Sequence, residues 1–259
     1  MNNSKKLNLL LTNDDGISAP GLQILAEALK KVANVYVLAP ASNRSAVSSH
    51  IVMYESLTFK RFAENEWSCS GYPADCVISA LRSNLFNNVE FDAVLSGINK
   101  GPNMGTDCIY SGTVAAARQA VLYGLPGIAV SLKAESGEYA QDGYEYGVLA
   151  EFVKNNLERL LSLYEPDCIV SVNAKSQEKY GSAFLTSLCT RDYKDKIEFE
   201  EIEEGLLKST LLSGALTTTG PELLNEYEAV ESGNIAITRI CAEPVDFEPA
   251  LNRKIDFVF

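Results

Sequence analysis

Leu7-Asn8-Leu9-Leu10-Leu11-Thr12-Asn13-Asp14-Asp15-Gly16-Ile17-Ser18-Ala19-Pro20-Gly21 reads as a strand, an acidic turn and the start of a helix. An apolar run of strand length stops at polar residues. Apolar positions then return as Leu22, Leu25, Leu29 and Val32, at the spacing of an amphipathic helix. Two adjacent carboxylates at the carboxyl end of a buried parallel strand lie where open α/β sheets bind ligands. They repel each other in a poorly hydrated place. A divalent cation relieves that repulsion, and without one either carboxylate tends to hold its proton. Asp14 and Asp15 are therefore read as metal ligands; the competing reading is that one of them only caps the helix.

Outward from this stretch the same alternation repeats. Residues 35–39 read as a second buried strand stopped by Pro40, followed by a polar loop at 41–49. Short β-leaning segments at 51–54, 57–62 and 66–69 suggest a hairpin excursion. Pro73 opens a helix with Val77, Ile78, Leu81 and Leu85, which leads into a strand at 91–95. A Gly- and Asn-rich loop at 96–111 feeds a helix at 112–123, and a loop of that length in a compact domain is usually functional. A strand at 127–131, an amphipathic helix at 144–163 and a strand at 168–172 complete a parallel sheet covered on both faces. From Ser182 the character changes to strands at 184–189, 197–202, 205–212 and 235–240. The expected division is a catalytic core at 1–181 and a β-rich region at 182–259 that serves oligomerisation and partly returns to the core. The acidic cluster Glu198, Glu200, Glu201, Glu203 and Glu204 is most simply a solvated face.

Composition removes several function classes. A chain of 259 residues with a formal charge of −12 and no Lys/Arg cluster repels nucleic-acid polymers and anionic membranes. A small anion can still bind where backbone N–H groups and a metal outweigh the general field. Residues 1–6 are polar without a signal core and no apolar run is long enough to cross a bilayer, which makes a cytoplasmic location the expectation. Six cysteines without C-x-x-C pairing read as buried reduced thiols, and the only histidine, His50, lies far from most of them in sequence.

Three loops converge with the aspartates at the edge of such a sheet. The loop 39–46 offers hydroxyl and amide oxygens and one cation, Arg44. In the loop 96–105, Asn99 offers a neutral oxygen to a hard cation, Lys100 reads as surface charge and Asn103 can serve the turn. Tyr110-Ser111-Gly112-Thr113-Val114 begins a helix whose free N–H groups and hydroxyls suit a phosphate, unless Ser111 is only an N-cap. An acidic metal site beside an anion site suggests metal-assisted phosphate ester hydrolysis. The cation would activate water and polarise a phosphoryl oxygen, and an aspartate not fully engaged with it would take the proton. No Ser-His-Asp arrangement, P-loop or G-x-G-x-x-G after the first strand is present. A dehalogenase-like aspartyl phosphatase needs Asp where this chain has Asn13, which cannot serve as nucleophile.

At this point the sequence resembles the SurE survival protein family of metal-dependent nucleotidases. The resemblance is carried by Thr12-Asn13-Asp14-Asp15-Gly16-Ile17 with Ala19-Pro20-Gly21, by Ala39-Pro40 with Arg44-Ser45, and by Gly71-Tyr72-Pro73-Ala74-Asp75-Cys76-Val77. It continues through Ser96-Gly97-Ile98-Asn99 with Gly101-Pro102-Asn103 and Gly105, then Tyr110-Ser111-Gly112-Thr113-Val114-Ala115-Ala116. It implies a Rossmann-like α/β fold, a three-layer parallel sheet with a C-terminal β-rich appendage. It implies Asp14, Asp15, Ser45 and Asn99 as ligands of one Mg²⁺ or Mn²⁺ per subunit, with Asn103, Ser111, Gly112 and Thr113 bordering the phosphate pocket. The implied activity removes phosphate from nucleoside 5′- and 3′-monophosphates, in some members with attack on short polyphosphate. The implied assembly is a homodimer or homotetramer that exchanges C-terminal segments. This chain departs from the family pattern at Ala46, usually glycine, at Ala41, often aspartate, at Arg239, usually proline, and at Asn225-Glu226, often Thr-Asp. A non-catalytic nucleotide or metal sensor built on the same pocket is the alternative function.

Overall fold

The protein is described by a computed structural model over residues 6–137, 140–212, 214–221 and 224–245. The first part of the chain forms β1 (Asn8–Thr12), α1 (Pro20–Leu29), β2 (Asn34–Pro40), β3 (Phe59–Ala63), β4 (Glu66–Cys69), α2 (Pro73–Arg82), β5 (Ala93–Lys100), α3 (Asp107–Tyr110), α4 (Gly112–Leu122), β6 (Gly127–Lys133), α5 (Tyr146–Asn155), α6 (Leu157–Leu161) and β7 (Cys168–Lys175). The second part adds β8 (Ala183–Thr186), β9 (Thr190–Asp192), β10 (Lys196–Glu203), β11 (Leu206–Leu212), β12 (Thr217–Thr219), α7 (Glu226–Glu231) and β13 (Ile235–Cys241). Nine strands form one sheet in the order β3-β4-β2-β1-β5-β6-β7-β13-β8. The six from β4 to β7 in that order run parallel, while β3 and β13 pair antiparallel with their inner neighbours.

The apolar run of β1 explains the layering. Leu9 and Leu11 pack with Leu22, Leu25 and Leu29 of α1 and Leu149 and Val153 of α5, whereas Leu10 packs with Val77 of α2 and Ala116 and Ala120 of α4. A strand buried on both faces needs apolar side chains on both, so it reads as a continuous apolar run. Helices cover each face, and the loops after β1, β2 and β5 gather at the carboxyl edge.

Several sequence expectations shift. Strand β5 continues through Lys100 and α3 forms at its far end, so the expected loop at 96–111 is much shorter. The register of β5 on β6 slips between Ser96 and Asn99, a bulge that re-aims the strand end. The single helix expected at 144–163 breaks at Asn156, whose backbone leaves the helical region while its side chain donates to the Phe152 carbonyl. No strand forms at 51–54, where Met53 and Tyr54 are exposed. The β-rich region is divided: β13 and β8 extend the main sheet, β9 pairs with β12, and β10–β11 stand apart as a two-stranded hairpin. Residues 246–259 of the expected exchange region lie outside the described residues. Five cysteines are buried and Cys241 is exposed, all as free thiols. No helix among the described residues is long and apolar enough to cross a membrane.

Candidate functional site

The acidic turn is built by its own neighbours. Asn13 is fully buried, and its carboxamide both donates to the Gly16 carbonyl (3.0 Å) and accepts from the Gly16 N–H (3.1 Å), closing the turn. That use of Asn13 leaves it no part in chemistry. The Asp14 carbonyl accepts from the Arg44 N–H (2.6 Å), which ties the loop after β2 to this turn. The Arg44 guanidinium itself donates to the Ser70 carbonyl and lies over the Tyr72 ring.

Asp14 is 4% exposed, and burial pushes its carboxyl up to about 6; the Thr113 hydroxyl opposes that rise and the Asp15 charge adds to it. Asp15 is half-buried and also raised by burial, against the Lys100 N–H that donates to its Oδ2 (2.9 Å). Neither carboxylate forms an ion pair with a basic side chain among the described residues. Two raised, unpaired carboxylates side by side are a site under electrostatic load.

A cleft of about 810 Å³ brings Asp14, Ser45, Asn99, Asn103 and Ser111 together, and a neighbouring cleft of about 300 Å³ is lined by Asp15, Ser45 and Lys100. The donor set fits a hard cation: two carboxylates, a hydroxyl and a carboxamide, all oxygen. The Asn99 Nδ2, which cannot ligate, is tied to the Gly101 carbonyl (2.9 Å), so the atom left over is the oxygen, the one able to ligate. Among the described residues no group of three His, Cys, Asp or Glu side chains is arranged to hold a metal ion.

The helix end expected to bind phosphate is already occupied. The Thr113 hydroxyl donates to Asp14 Oδ1 at 2.5 Å and its backbone N–H also favours the charged carboxylate. Gly112 is required there, because a Cβ would sit 2.9 Å from the Asp14 Cβ. Gly112 and Thr113 thus face the aspartate and do not line the cleft. Ser111 does line it, while its Oγ accepts from the Val114 N–H as the N-cap of α4. Lys100 is exposed and its ammonium donates to Gln141, as a surface residue would. His50 stacks on Tyr72 outside both clefts.

Sequence reasoning missed the outer wall. Arg191 of β9 lines the large cleft and pairs with Asp107 (3.2 Å), whose carboxylate also takes the Tyr193 hydroxyl. Fully buried Glu226 accepts from the Gly105 N–H (2.5 Å), the Cys189 N–H (3.3 Å) and the Thr238 hydroxyl (3.1 Å). Gly105 has φ +52 and a Cβ there would lie 2.0 Å from the Cys189 carbonyl, so this glycine lets the cleft loop close onto the C-terminal part. A carboxylate directly after a helix N-cap, as in Asn225-Glu226, was the available signal.

Taken together, fold and site define an α/β protein with an oxygen-lined, cation-suited cleft at the carboxyl edge of its parallel sheet. The model of the family described as survival protein SurE matches residues 9–195, and the chain belongs to the SurE family. It is 44% identical over 189 residues to the 5'-nucleotidase SurE of Treponema pallidum (strain Nichols), covering 72% of this chain and all of that one. It is 41% identical over 246 residues to the 5'-nucleotidase SurE of Acinetobacter baumannii (strain SDF), covering 93% and 96%. The crystal structure of the SurE protein from Aquifex aeolicus superposes with a TM-score of 0.77 at 28% identity, covering 93% of this chain and 95% of that one.

Proposed function

We propose that this chain is a divalent-metal-dependent nucleotidase, a phosphoric monoester hydrolase that removes phosphate from nucleoside monophosphates. The observation that carries the reading is the pair of raised carboxylates, Asp14 and Asp15, meeting Ser45 and Asn99 at clefts roomy enough for a nucleotide. Support comes also from relatives at 33–44% identity that bear the name 5'-nucleotidase SurE. Asp14, Asp15, Ser45 and Asn99 would hold the ion, with Mg²⁺ and Mn²⁺ matching this donor set. When bound, such a dication supplies Lewis-acid polarisation of a phosphoryl oxygen and acidifies water.

The remaining work falls to side chains. Asp15, less buried than Asp14 and held by one backbone N–H, is the group we assign to take the proton of the attacking water. Asn103 has a second amide hydrogen beyond the one given to Ser131, and the Ser111 hydroxyl has its own proton to give once its oxygen has capped α4. Both can donate to phosphate oxygens. The 191–195 segment closes the outer wall over the organic half of the substrate.

For assembly, the hairpin supports a homo-oligomer. Ile197 and Phe199 of β10 and Leu207 and Leu211 of β11 share one face by register and are all more than half exposed. A lone hairpin with a bare apolar face is marginal in water, so a second copy is the natural cover.

The functional reading is tested by phosphate release from a panel of nucleoside 5′- and 3′-monophosphates with Mg²⁺, with Mn²⁺ and with chelator. Turnover that requires the ion is expected. Binding of nucleotide without turnover across the panel would favour a sensor.

A further inference from the structure

Buried polar residues in central parallel strands are costly, and three of them lie in one row of the sheet. Asn99 of β5 pairs by register with Ser131 of β6, and Ser131 with Asn173 of β7. Their exposures are 9%, 1% and 0%. The strand around Asn173 is mostly apolar, with Ile169, Val170, Val172 and Ala174 all buried and Ser171 the other buried polar side chain. A carboxamide there loses its hydration and must be hydrogen-bonded in return.

What it binds is a loop residue in the cleft. Asn173 Oδ1 accepts from the Asn103 N–H (2.9 Å) and Asn173 Nδ2 donates to the Asn103 carbonyl (3.0 Å), with a further contact to the Ser171 hydroxyl (3.2 Å). Both main-chain groups of Asn103 are thereby held as a neighbouring strand would hold them. The Asn103 side chain is fixed separately, by donation from Nδ2 to the Ser131 hydroxyl (2.9 Å). The row thus has Asn99 at the proposed metal position and, two strands away, a two-point clamp on the residue proposed to bind phosphate.

We infer that Asn173 is a positioning residue for phosphate binding, acting through Asn103 with Ser131 as the second anchor. The inference rests on the nucleotidase reading of the cleft. It predicts that loosening the clamp weakens phosphate while leaving the ion in place, because Asn99 is anchored on Gly101 and not on Asn173.

The test is a double-mutant cycle on N103A and N173D, with S131A as a second probe. Aspartate keeps the volume of Asn173 but loses both donations and sets an acceptor against the Asn103 carbonyl. Measured are the inhibition constant of inorganic phosphate, KM, kcat and the Mn²⁺ dissociation constant. N173D is expected to raise the phosphate constant and KM about tenfold, with kcat and Mn²⁺ affinity within about twofold, and to add nothing in the N103A background. S131A moves the same two quantities by a smaller factor and decides the matter if N173D does not fold. Unchanged phosphate affinity in these variants while N103A weakens it, or effects that multiply with N103A, overturns the inference. An N103A protein with unaltered phosphate affinity instead removes the phosphate role of the cleft loop itself, and the clamp's function with it.

Discussion

The carboxyl edge of the main sheet and the β10–β11 hairpin treat awkward residues in opposite ways. At the sheet edge, polar groups that should prefer water are buried, and several of them are answered from within the chain: Asn13 by Gly16, Asp14 by Thr113, Asn103 by Asn173 and Ser131. On the hairpin, Ile197, Phe199, Leu207 and Leu211 should prefer the interior and are left outside. The first region leaves its two carboxylates without an ion pair among the described residues. The second leaves an apolar face without a surface to lie against. The partners proposed above are a cation in one case and another copy of the chain in the other.

The largest expected effect breaks the first half of that contrast. D14N keeps the shape of the turn and the acceptor for Thr113 but removes one charge from the ion's site, and turnover of a nucleoside monophosphate should fall by roughly a thousandfold or more with the fold intact by circular dichroism. The hairpin comes next. Charges placed in its apolar face by F199E with L211E should raise the subunit dissociation constant on the order of 100-fold in a light-scattering dilution series. A wild-type protein that is monomeric throughout the series would show that the hairpin needs no cover.

A smaller effect reads the missing cation through pH. The Asp14 carboxyl in the folded, metal-free protein sits at about 6 against an ordinary 3.8, so the folded state holds this proton more tightly than the unfolded chain. The stability it contributes is fully present below about 3.8 and is lost as pH rises through about 6. In chelator, D14N should therefore exceed wild type in unfolding free energy by ~1–3 kcal/mol at pH 7, the gap narrowing by about half at pH 5. Urea melts at the two pH values measure it, and a gap that does not change between them would place the aspartate's proton elsewhere.

The smallest effect concerns Ala46, beside Ser45, a proposed ligand. Its φ of +56 is in the left-handed region, where the family's usual glycine carries no penalty. A46G should stabilise the protein by about 0.5–1 kcal/mol in the same melts.

The sequence made the layered core legible because burial on both faces leaves a mark that needs no tertiary knowledge. Leu9, Leu10 and Leu11, then Leu22, Leu25 and Leu29, announce strand and helix by period alone. Asp14, Asp15, Ser45 and Asn99 were legible as residues of strand-end loops and by family resemblance. The contact of Thr113 with Asp14 was not legible, because nothing in Ser111-Gly112-Thr113 says that an aspartate of the same chain sits on the helix end. Ser131 ends a strand expected at 127–131, and Asn173 falls just past the one expected at 168–172. The available signal was a polar side chain near the carboxyl end of a mostly apolar run, but the partner of Asn173, the Asn103 main chain, is set by the fold and by no local pattern. Arg191 carries no local signal for the same reason, and the place of Glu226 after an N-cap marks it as unusual without naming its partner, since both act across the junction between the two parts of the chain.

The most direct measurement is a titration of Mn²⁺ into chelator-stripped protein while adenosine 5′-monophosphate hydrolysis and heat of binding are followed together. One ion per chain should bind, with phosphate release appearing in step with occupancy. Stripped protein that hydrolyses the nucleotide at the full rate, before any ion is added, would contradict the assignment of Asp14 and Asp15 as holders of a catalytic cation.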